Sequence, residues 1–83
     1  MTLYEFTALS SPQQLAAVWQ QGQFLARRQQ GDQPVNLYTM GAFFVEVFYL
    51  PSSNEISRHR AFLTSQLLLP YVPDQLLSQL IAR

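Results

Sequence analysis

The sequence has no cysteine and no lysine, and only one histidine and one tryptophan in 83 residues. Without cysteine there is neither a disulfide framework nor a thiolate metal ligand. A zinc site built on the lone His59 would need carboxylates, and these are few and scattered, so no metal is expected. All five basic residues are arginine, and five acidic residues balance them. A net charge near zero lacks the basic footprint on which nucleic-acid binders rest, so no nucleic-acid partner is expected. The first residues lack the positive start and long apolar run of a signal peptide. No stretch approaches the ~20 apolar residues that span a bilayer. The expectation is a soluble, cytoplasmic chain with no membrane association. There is also no glycine-rich phosphate loop, no pair of catalytic carboxylates and no metal-ligand spacing, so neither a cofactor nor an enzymatic activity is expected.

What the chain does have is apolar residues, 48% of the total, with aromatics at 13%. That suffices for one core, and residues 1–83 read as a single domain that buries about 60–65% of its unfolded surface. The centre of the pattern is Gly41 to Thr64. Residues 43–50 (FFVEVFYL) are aromatic, β-branched or leucine except for Glu46, a composition suited to a buried pleated surface. Pro51-Ser52-Ser53-Asn54 supplies a turn, in which Asn tolerates the left-handed region. Residues 55–63 (EISRHRAFL) return as a second strand.

Strand side chains alternate between faces. Phe43, Val45, Val47 and Tyr49 therefore form an apolar core row, and Phe44, Glu46, Phe48 and Leu50 the opposite one. On the return strand Ile56, Arg58, Arg60 and Phe62 share one row, and Ser57, His59, Ala61 and Leu63 the other. Loop length at 51–54 cannot be read directly. A three- or five-residue loop sets Glu46 across from Arg58 or Arg60, whereas a four-residue loop moves both arginines to the Val45/Val47 row, where burial without partners is costly. The register with Glu46 beside the arginines is the expected one.

Around this pair, Thr2-x-x-Glu5 has the form of a capping box and predicts a short helix at 3–8. Ser11 as N-cap, Pro12 at the first helical position and a glutamine three residues on predict a helix at 12–21, with Gly22 as a left-handed cap. Strands are predicted at 23–30 and 35–40, separated by a turn at Gly31-Asp32-Gln33-Pro34. After the central pair come short helices at 65–69 and 74–82, the latter capped by Asp74 and carrying Leu76, Leu77, Leu80 and Ile81 as an apolar stripe. The expected fold is α+β: a four-stranded antiparallel meander, 23–30, 35–40, 43–50 and 55–63, packed by helix 12–21.

The run Phe43-Phe44-Val45-Glu46-Val47-Phe48-Tyr49, followed by Asn54-Glu55-Ile56-Ser57-Arg58-His59-Arg60-Ala61-Phe62, resembles a group of short bacterial proteins of unassigned function. In that group an aromatic-Val-Glu-Val-aromatic strand leads through an Asn-containing turn to Ile-x-Arg-x-Arg-x-Phe. Leu3-Tyr4-Glu5-Phe6 and Trp19-x-x-Gly22-x-Phe24-Leu25 are also similar, so the likeness spans about residues 3–71. It implies a compact α+β domain, often encoded as a stand-alone chain, and brings no activity with it.

The candidate binding residues are Glu46, Arg58, His59 and Arg60. A carboxylate flanked by two guanidiniums can hold an anion, but a surface cross-strand ion pair worth less than ~1 kcal/mol is the expected reading. His59 is the one side chain suited to acid–base work near neutral pH, and it reads as a packed or edge histidine. Trp19 and the other aromatics are expected in the core. With limited helical cover, the face carrying Phe44, Phe48, Ile56 and Phe62 is expected to be exposed as an interface; the competing reading is that the leucine stripe of the 74–82 helix folds over it and leaves a monomer. The functional expectation is a small non-enzymatic interaction module acting through a protein partner or as a homodimer. The alternatives are a ribonuclease-type toxin or RNA-binding domain using Arg58, His59 and Arg60, and a small-ligand binder with a pocket between helix 12–21 and the sheet.

Overall fold

Thr2 caps the first helix, α1 (Leu3–Thr7), in a full capping box: its side chain accepts from the Glu5 amide, and the Glu5 carboxylate accepts from the Thr2 amide. Those bonds hold the Glu5 carboxyl below its ordinary value of 4.5. The computed structural model describes residues 1–63 of the chain, and the helices expected at 65–69 and 74–82 lie outside the described residues. The second helix, α2 (Ser11–Gln21), begins one residue earlier than the sequence pattern implied. Ser10, not Ser11, is the N-cap, and it exchanges capping-box bonds with Gln13. The shift releases Gln14 from capping.

Four strands follow: β1 (Gln23–Gln30), β2 (Gln33–Thr39), β3 (Phe44–Tyr49) and β4 (Ile56–Phe62). They form one antiparallel sheet in the order β1-β2-β3-β4. This is the expected α+β meander, with β2 displaced toward the N-terminus. The β1–β2 turn is only Gly31-Asp32, because Gln30 pairs with Gln33, and Gly31 takes the positive φ the turn needs. Pro34 is thus a strand residue rather than a turn residue. By ladder alternation its absent N–H points away from β1, at a level where β3 has not yet begun to pair, since the β2–β3 register starts at Val35–Phe48.

Both helices pack on one face of the sheet. Phe6, Ala17 and Val18 meet Phe43, Val45 and Val47, and Leu3, Leu9, Leu15, Tyr38, Met40, Tyr49 and Ala61 surround them. The core row read from alternation is therefore the helix-covered row. Phe6 and Phe43 lie with ring centroids 5.1 Å apart. Gly22 departs from expectation: its φ of −76° and ψ of 155° are extended, not left-handed. It is glycine because of close approach, since a Cβ there would lie 2.5 Å from the Val18 carbonyl oxygen.

The β3–β4 register sets Glu46 opposite Arg60, Val47 opposite His59 and Phe48 opposite Arg58. Glu46 thus lies with the arginines, in the five-residue-loop register. A shift between Phe48 and Tyr49 then pairs Tyr49 with Ile56. This bulge moves Ile56 out of the row it was expected to share with Arg58. The turn is closed by Leu50 N–H donating to Glu55 O at 2.7 Å and Asn54 N–H donating to Leu50 O at 3.2 Å. Asn54 takes the left-handed conformation expected of it, with φ 61°.

Candidate functional site

The sheet face away from the helices carries a polar cluster built across three strands. Glu46, at the middle of β3, is fully buried. Its Oε2 accepts from Arg28 Nε and Nη2 at 3.2 and 2.9 Å, and its Oε1 accepts from Arg60 Nε at 2.6 Å. Arg60 reaches Glu46 from the neighbouring strand. Arg28 comes from β1 and must cross β2, a distance of about 10 Å between backbones. It passes where Val35 and Leu37, both buried, flank its path. Its Nη2 also donates to Gln30 Oε1 at 3.0 Å.

Arg58 completes the cluster without a hydrogen bond among the described residues. Its guanidinium carbon lies 3.8 Å from the centroid of the Phe48 ring, close stacking of a cation on an aromatic face. Arg60 and Arg28 flank the same ring at 5.5 and 5.9 Å. Among the described residues this face gathers three guanidiniums and one carboxylate. Among the described residues, the side-chain charges elsewhere (Glu5, Asp32, Glu55 and Arg27) sum to −2.

Two expectations change here. The ion pair is not a surface pair, because Glu46 has no exposed area. The apolar row is not exposed either. Phe48 lies buried beneath the guanidiniums, Phe62 is buried and stacks on half-buried Phe44 at 5.7 Å, and only Ile56 remains open.

His59 does not belong to this cluster. It projects to the helix side, where its Nε2 lies 2.7 Å from Gln14 Oε1. The Gln14 amide nitrogen donates to the carbonyls of Phe6 and Leu9 at 3.0 and 3.3 Å. With its NH2 so engaged, Gln14 offers an acceptor, and His59 must carry its proton on Nε2. One side chain thus ties the α1 end, α2 and β4 together. Burial pushes His59 below its ordinary value of 6.5. The arrangement is that of a structural histidine, with its ring committed to a neutral hydrogen bond. Arg58, His59 and Arg60 therefore do not converge on one site.

Sequence reading missed Arg28 and Gln14. Arg28 was hidden by taking Gln33 and Pro34 as turn; a two-residue Gly31-Asp32 hairpin would have set Arg28 opposite Val35 and placed it on the Glu46 face. Gln14 was hidden by assigning it to the cap. The aromatics at the α2–β1 junction were expected in the core, yet Trp19 and Phe24 are 50% and 54% exposed. Both stand edge-on to Tyr38, with ring centroids at 5.6 and 5.8 Å.

Among the described residues no group of acidic or histidine side chains could hold a metal ion, and no helix is long and apolar enough to cross a membrane. Comparison with family models, with curated proteins and with solved structures finds no match to this chain. The resemblance seen in the strand motifs rests on those residues alone.

Proposed function

We propose that the chain is a non-enzymatic interaction module whose sheet presents Arg58 and Arg60 to a protein partner. The observation that carries this reading is the way the two exposed guanidiniums are fixed in advance. Arg58 is stacked on Phe48, and Arg60 is tethered through Nε to a buried carboxylate. A guanidinium held in place loses less rotamer freedom when it meets an anion than one on a loose stem. The histidine best suited to proton transfer is engaged with Gln14 on the opposite face, which favours binding over catalysis. Affinity purification from the native host with the parent chain and with Arg58→Ala is the test. A recurrent protein recovered with the parent and lost with the variant supports the module. Recovery of RNA or ribosomes in its place, with the same dependence on Arg58, overturns it in favour of an RNA-directed role.

A further inference from the structure

Resting on that reading, we infer that the partner supplies an extended acidic segment that adds to the sheet as a fifth strand alongside β4. β4 is the last strand in the sheet order, with seven residues and, among the described residues, one strand neighbour, β3. Its outer backbone groups are a template for strand addition. Arg58 and Arg60 are two residues apart on β4, so their side chains rise from one face at a spacing of about 7 Å. An added strand presents its own alternate residues at the same spacing, directly opposite them. A Glu-x-Glu or Asp-x-Asp pattern meets both arginines at once. The residue between the carboxylates faces His59 on the other side and lies beside Ala61, which favours a small or apolar side chain there.

The same geometry argues against a second copy of this chain as the occupant. If two β4 strands paired antiparallel about a two-fold axis at His59, each Arg58 would face the Arg60 of its counterpart. If the axis passed at Arg58 or at Arg60, an arginine would face itself. Like charges directly opposite destabilise a strand pair. In the registers centred on the middle of β4 the arginines thus oppose self-pairing, while a strand of opposite sign is favoured there. β1, at the other edge, has no such stripe, since Arg27 and Arg28 project to opposite faces.

The test is a titration of the isotopically labelled full chain with acetyl-Thr-Val-Glu-Val-Glu-Val-Thr-amide, read by backbone amide shifts and hydrogen exchange. The expected result is perturbation and exchange protection along β4, absent when lysine replaces both glutamates of the peptide. Arg58→Ala should weaken binding roughly two- to five-fold, as one exposed ion pair implies, and adding Arg60→Ala should bring the loss to about ten-fold. Because Arg60 contacts buried Glu46, Arg58→Glu is the second variant, and it should lose the preference for the glutamate peptide over the lysine peptide. No response at β4 with millimolar peptide overturns the inference. So does equal binding of the lysine peptide, or tighter binding of a short uridine oligomer at the same arginines. An Arg58-dependent protein partner that leaves the β4 amides unprotected would overturn strand addition while sparing the interaction module.

Discussion

Replacing Glu46 by glutamine is the sharpest test of how the sheet is held together. The change keeps the shape of the side chain and one carbonyl acceptor but removes the negative charge between Arg28 and Arg60. Breaking a buried ion pair by removing one partner costs about 3–5 kcal/mol, because the remaining charge is left uncompensated. Two features of this site move the figure to the lower end. Arg60 is 41% exposed, so water screens its share, and glutamine retains one hydrogen bond. Arg28, at 14% exposure, is the less screened of the two. We expect a loss of about 3 kcal/mol, which for a domain of this size is a fall in Tm of about 12–24 °C. Urea melts of the parent and Glu46→Gln, with the slope of the transition compared as well as its midpoint, measure the loss directly. The loss should persist at high salt, since buried pairs are little screened. A loss below about 1 kcal/mol that vanishes with salt would mean that the carboxylate behaves as a surface group, and the burial of Glu46 would be wrong.

His59 gives a pH dependence of known sign. Its folded value lies below 6.5, so the unfolded chain takes up the proton first as pH falls, and stability should decline below about pH 6.5; urea melts should show His59→Gln losing that part of the slope. Gly22→Ala should destabilise by about 1–3 kcal/mol despite alanine's better helix propensity, because the new methyl meets the Val18 carbonyl at 2.5 Å; a neutral thermal melt would mean the backbone there can give way. Asn54→Ala should cost about 1–2 kcal/mol for its left-handed φ, while Asn54→Gly costs little; equal melts for the two variants would refute that strain.

Much of the sheet was legible because alternation and burial leave few solutions. The apolar row Phe43, Val45, Val47 and Tyr49 can face only the helices. Once it does, Glu46 must share a face with the arginines, and Asn54 is the turn residue that best accepts a positive φ. Two features were hidden for a common reason: each depends on a contact between residues far apart in sequence. Glu46 looks like a surface acid until Arg28 arrives from a strand two positions away, and its position is fixed only by the length of the Gly31-Asp32 turn. Gln14 looks like a capping residue until Ser10 is seen to hold that role, which frees its amide to meet His59, 45 residues further along the chain. Trp19 lies one position from Val18 on a helix whose buried stripe is narrow, and a hundred degrees of rotation is enough to put it half in water. Local pattern settles which face a strand residue takes, except where a bulge intervenes, as at Ile56. Which charges a face gathers is decided by turn length and register, and a misreading of two residues at Gln33 and Pro34 was enough to leave one arginine of the candidate site out of view.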